Sequence, residues 1–196
     1  MGGSSTTNAS GVRITMPDAI RRSGATKAME LQPFTADKSA AKRAVMRTRA
    51  AGSTALYDAL VRVNLDLAGR PGKKVIVVFT DGSDNASVLT TDTAILRAKS
   101  AGVPIYTIAQ GSALRSPALL KQLAGVSKTT GAVAFAIHGP NEIRDVFEAV
   151  SKDLLHGYLI TFQPPSAEGH TWHPIEVQVR ASKGRKVRAR EGYYPE

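Results

Sequence analysis

Apolar and polar positions along the chain change their period several times, and each change marks an element. Val12, Ile14 and Met16 alternate with polar neighbours over 11–16, which predicts a short, half-buried strand that Pro17 ends. Met29 to Phe34 is predicted as a second strand, with Pro33 requiring an edge or an end because it donates no ladder hydrogen bond. From Asp37 to Arg49, Ala40, Ala41, Ala44 and Val45 recur at helical spacing. A loop at 51–54 then feeds a second helix from Ala55 to Leu67, whose Leu56, Leu60, Val63 and Leu67 share one stripe; Gly69, Pro71 and Gly72 end it.

KVIVVF is different in kind. Its run from Val75 to Phe79 is continuously apolar and rich in β-branched residues, as suits a strand covered on both faces. The polar turn TDGSDN follows, then a helix around Thr93 to Ser100 and a strand from Val103 to Ile108. Ser116-Pro117 is an N-cap followed by proline at the first helical position, opening a helix through Leu119, Leu120 and Leu123. A short strand over Ala132 to Ile137 precedes the most periodic helix, Glu142 to His156, whose stripe is Ile143, Val146, Phe147, Val150, Leu154 and Leu155. Strands alternating with helices predict an α/β fold with a mostly parallel, doubly wound sheet. After Gly157, YLITFQ, PIEVQVR and KVRAR follow without intervening helices, predicting an antiparallel hairpin or meander with Ile175, Val177 and Val179 inward.

Composition narrows the chemistry. In 196 residues with 42% apolar content there is material for one sizeable core, and the absence of cysteine removes disulfides and thiolate chemistry. No apolar run is long enough to span a membrane, and MGGSSTTNASG has neither the basic start nor the apolar stretch of a signal peptide. The compartment is not read from these residues. There is no nucleophile elbow, no P-loop and no dinucleotide fingerprint, so the expectation is a protein that is not an enzyme. His170 and His173 have a chelating spacing without a supporting carboxylate pattern.

The formal charge of +10 favours acidic partners or polyanions. Arg180, Lys183, Arg185, Lys186, Arg188 and Arg190 concentrate it on the last hairpin, a surface for nonspecific nucleic-acid binding; such runs also serve simply to solvate an edge strand.

In open α/β sheets ligands gather at the carboxyl ends of the strands, which is where TDGSDN stands. Thr54 and Asp81 are candidate hard-oxygen donors there, suited to Mg²⁺ or Mn²⁺. Asp84 with Asn85 is expected to brace the turn through side-chain to backbone bonds.

The segments GSTALYDAL, VIVVFTDGSDNAS, AGVPIYTIA, YLITFQP and VRAREGYY, in this order, resemble the von Willebrand factor type A-related domains of many bacterial proteins, over about Phe34 to Tyr194. The resemblance implies a Rossmann-like sheet wrapped by helices and a metal-ion-dependent adhesion site. By motif, Thr54 would be that site's second-loop threonine and Asp81 its third-loop aspartate. The DxSxS motif that completes it has no counterpart here; Asp37-Lys38-Ser39 is instead expected to start a helix, capped by Asp37 or Thr35. The expectation is therefore a domain missing its first strand, N-terminally truncated, with an incomplete adhesion site. On that basis 1–10 is a flexible start, 11–157 the α/β domain and 158–196 a C-terminal β extension. Function follows as a protein-binding module using Ser53, Thr54, Asp81, Gly82, Ser83 and Asp84. Nonspecific polyanion binding through the basic hairpin, or a fragment without function, are the alternatives. Relatives of this kind are often exported or membrane-anchored.

Overall fold

The computed structural model describes residues 12–19, 28–47, 53–67, 70–158, 160, 162, 171–180 and 187–194. The chain forms two compact units, one of residues 1–74 with 84–90, the other of 75–83 with 91–196. The sequence expectations for residues 1–10 and for Gly52, His170, Lys183, Arg185 and Lys186 lie outside the described residues.

In the first unit, β1 (Val12–Ala19) is the middle strand of an antiparallel sheet of order β2-β1-β3, with β2 (Ala28–Thr35) and the short β3 (Ser53–Thr54) beside it. Pro33 accordingly sits on an outer strand, as a residue without an N–H must. Pro17 does not end β1, contrary to the sequence expectation. The pairing with β2 slips between Met16 and Ala19, so the proline falls in an irregularity where the regular ladder is already broken. Helix α1 (Lys38–Met46) starts as its cap requires: Asp37 Oδ1 accepts from Ser39 N at 2.8 Å, and Thr35 Oγ1 accepts from Asp37 N at 3.0 Å. The amides of Ala40 and Ser39, aided by Arg43, hold the Asp37 carboxyl below its ordinary value. Helix α2 (Leu56–Leu67) buries Leu56, Leu60 and Leu67 of the expected stripe, together with Tyr57 and Ala59.

The second unit holds the parallel sheet, β4 (Ile76–Thr80), β5 (Ile105–Ala109) and β6 (Ala134–Ala136) in the order β4-β5-β6. Every residue of β5 is buried, which explains its apolar sequence: α4 (Pro117–Thr129) packs on one side and α5 (Glu142–His156) on the other. Tyr106 and Ile108 meet Val146 and Val150 of α5, while Thr107 on the opposite face satisfies its buried hydroxyl with Ser127 Oγ at 3.0 Å. Helix α3 (Thr91–Ala101) completes the unit, and α4 begins as expected, with Ser116 Oγ accepting from Leu119 N and Pro117 in its first turn. In α5 the expected stripe divides. Val146 and Val150 are buried, but Phe147 is 44% and Leu155 81% exposed.

The C-terminal region is antiparallel, as expected, and is joined by a ladder. Among the described residues it consists of β7 (His173–Pro174) against β8 (Gly192–Tyr193), and Tyr158, Ile160 and Phe162 are in no strand. Pro174 brings no N–H to this ladder; Ile175 and Val177 are half-buried between exposed Glu176 and Gln178, as the alternation expects, while Val179 is exposed and does not face inward. Aromatic contacts tie the region together: Trp172 to Tyr194, with ring centroids 5.0 Å apart, and His173 to Tyr193 at 5.4 Å.

Two outcomes follow. Gly131 has φ +79°, and a Cβ there would lie 2.8 Å from Arg190 N, so Gly131→Ala should cost about 2 kcal/mol or more in urea unfolding. Burial, then the hydrogen bond to Asp153 and its charge, push the Tyr106 phenol above the ordinary 10.0. With the folded value raised, its contribution is full below the ordinary tyrosine value and is lost as pH climbs above it. Tyrosinate absorbance should therefore show a late ionisation that accompanies alkaline unfolding, and Tyr106→Phe should remove it.

Candidate functional site

The polar turn after β4 divides chemically between Ser83 and Asp84. Its first half belongs to the second unit. There Thr80 Oγ1 donates to Gly82 O at 2.8 Å, and Gln110 N donates to Thr80 O at 3.0 Å. The Asp81 carbonyl accepts from Ala113 N at 2.8 Å and from the Ser112 hydroxyl. Gly111, at φ +56°, lets the chain turn close to Asp81. The backbone of Asp81 is thus held by the 3₁₀ turn Gly111–Arg115, while its carboxylate is exposed and, among the described residues, takes no hydrogen bond.

Asp84 has the opposite fate. In the first unit, helix α2 begins after Ala55, which has no side-chain oxygen to cap it, so its first amides depend on acceptors elsewhere in sequence. Asp84 Oδ2 accepts from Tyr57 N at 3.0 Å, and Ser87 Oγ accepts from Asp58 N at 3.1 Å. Asp84 also accepts from Ala86 N, from Ser87 N and, at 2.5 Å, from Ser87 Oγ. The exchange is reciprocal, because Asp58 accepts from Val88 N and Leu89 N, both at 3.0 Å. Thr54 joins through its backbone: its N–H donates to Asn85 Oδ1 at 2.8 Å and its carbonyl accepts from Asn85 N and Ala86 N.

The bracing role expected of Asp84 and Asn85 is therefore observed, with partners some 30 residues away in sequence as well as within the turn. Ser87 and Ser112 were not singled out from the sequence. A serine hydroxyl that meets a distant backbone group leaves no local pattern.

Ser53 and Thr54 lie in the first unit, and Asp81, Gly82 and Ser83 in the second. Among the described residues no three acidic or histidine side chains gather into one group. Asp84 and Asp58 of the first unit are engaged by backbone amides, and the second unit offers at this turn one free carboxylate, Asp81, so neither unit by itself assembles the oxygen donors of an adhesion site.

Of the basic residues, Arg180, Arg188 and Arg190 are described. Arg188 pairs with Asp153, and the Arg190 guanidinium lies 5.8 Å from the centre of the Tyr193 ring. Lys128 pairs with Glu191 at 3.2 Å. Of the described basic residues here, Arg188 is thus charge-paired and Arg190 lies against an aromatic ring, while Arg180 is exposed. No helix of the described residues is long and apolar enough to cross a membrane.

Comparison with known proteins agrees with this architecture. The family profile described as von Willebrand factor type A domain matches residues 22–149. Among solved structures, the chain is similar to the conserved hypothetical protein BatB from Bacteroides thetaiotaomicron, at 15% identity over 74% of this chain and 78% of that one, with a TM-score of 0.53. It is also matched to an uncharacterized membrane spanning protein from Vibrio fischeri, at 19% identity over 75% and 76% of the two chains, with a TM-score of 0.39. Comparison with curated proteins finds no match.

The unequal use of the two carboxylates gives a direct contrast. Asp84→Ala should lower unfolding free energy by about 2 kcal/mol, through the lost cap and the amides left without acceptors. Asp81→Ala should stay within about 0.5 kcal/mol of the parent chain in the same urea titration.

Proposed function

Because the chain belongs to the von Willebrand factor type A domain family, a family of protein-interaction modules, we propose that it is a non-enzymatic binding module that meets its protein partner at the carboxyl end of the parallel sheet. The observation that carries this reading is Asp81: a charged side chain left free on a backbone that Ser112, Ala113 and Gly111 hold still. On a held backbone only the short side chain of Asp81 is left to order on binding, so a contact to its carboxylate is made at low entropic cost. Gly82 and Ser83 extend the same edge, and Ser53 and Thr54 belong to the other unit.

A divalent ion, if bound at Asp81, would let this edge accept an acidic side chain. Without one, Asp81 pairs directly with a cationic group of the partner. The spent carboxylates of Asp84 and Asp58 favour the metal-free form.

The test has two parts. The thermal midpoint should be the same in Mg²⁺, Mn²⁺ and EDTA, because an ion that binds only the folded chain must raise it. A photo-crosslinking residue at Ser83 should capture one discrete protein from the source cell, and Asp81→Ala should abolish that adduct without lowering the midpoint. A crosslink that ignores Asp81→Ala, or none at all, overturns the assignment of this edge; a metal-dependent rise abolished by Asp81→Ala overturns the metal-free form alone.

A further inference from the structure

Beside α5 and β6 the second unit has a cleft of about 350 Å³ that the preceding reading does not use. Val133, Phe135 and Ala149 give it apolar walls. Its polar lining is unbalanced in charge. The carboxylate there, Asp153, is occupied twice, accepting from the Tyr106 hydroxyl at 2.7 Å and pairing with Arg188. Lys152 is exposed and, among the described residues, has no ion pair. His156 donates through Nδ1 to the Lys152 carbonyl at 2.7 Å, which fixes the ring at the end of the helix. Lys152 and Arg188 against Asp153 leave one net positive charge on the lining.

Apolar walls and an uncompensated cation at one opening are complementary to a single kind of ligand. A free amine would meet Lys152 with like charge, and a bare phosphate would gain nothing from Phe135 and Val133. We propose that this cleft binds a small organic acid, a carboxylate carried on a flat apolar body. The body lies on Val133, Phe135 and Ala149. The carboxylate takes the Lys152 ammonium and those Arg188 N–H donors that Asp153 leaves free. The volume is within the range of small-molecule sites, roughly 300–1,000 Å³. Asp153 and Tyr106 act as positioning residues, holding the guanidinium in place. This proposal does not depend on the Asp81 edge.

Calorimetric titration of the full chain with phenylbutyrate tests it, with phenylbutanol and inorganic phosphate as controls. Saturable binding of the acid is expected, with the alcohol and phosphate each about fivefold or more weaker. Lys152→Glu, a change at an exposed helical position, should weaken the acid by at least about the same factor while leaving the far-ultraviolet spectrum unchanged. Ala149→Trp, also exposed on α5, should block the cleft and abolish binding. The proposal is overturned if the acid does not saturate, if the alcohol or phosphate binds as well as the acid, or if both variants bind it like the parent chain.

Discussion

The first turn of α2 has backbone amides that must find acceptors, and the residue before it, Ala55, has none to offer. They are satisfied from the far side of the sequence, by Asp84 and Ser87, and the debt is returned when Asp58 accepts from Val88 and Leu89. This exchange ties a helix start to a surface turn on both sides. Thr54 and Asn85 close the same knot through their backbone and amide groups. The conformation of 84–89 is thus set by α2, and its polar side chains are used up in setting it.

That constraint sorts the polar residues of the turn. Asp81 and Asp84 are three positions apart in one hydrophilic stretch, and by composition they are equivalent. The backbone around Asp81 is fixed by amide and hydroxyl donors to its carbonyl, so its carboxylate has no structural task among the described residues. Asp84 is consumed by amides. A group that is free, charged and held on a rigid support suits recognition; a group surrounded by donors suits folding.

Much of the architecture was legible in the residues because periodicity and local capping are local quantities. The Glu142–His156 helix, the Ser116-Pro117 start, the Asp37 cap and the strand after Lys74 all follow from neighbours within a few positions. That strand, at the end of its sheet, nevertheless buries Ile76 and Val78 and leaves Phe79 exposed instead of being covered on both faces. Failures have a common physical source. Pro17 interrupts the alternation of 11–16 and so predicts a stop, but the slip in register beside it lets the strand run on. In the C-terminal region the alternation holds for Ile175 and Val177 but not for Val179, because alternation specifies a face and not the cover that buries it. In the site, Asp81 and Thr54 were picked out by motif and Asp84 and Asn85 by turn chemistry. Ser87 and Ser112 were invisible because their partners lie about 30 positions away.

The distance spanned by the α2 cap also bears on the order in which the chain acquires structure. A helix capped by its own preceding residue is complete as soon as that stretch is made. The amino end of α2 stays unfinished until 84–89, synthesised well after it, has folded back, so loop-closure entropy must be overcome before the helix gains its cap. A nascent chain halted before Asp84 would carry α2 frayed at its first turn, and the release of those residues would convert a marginal helix into a fixed one.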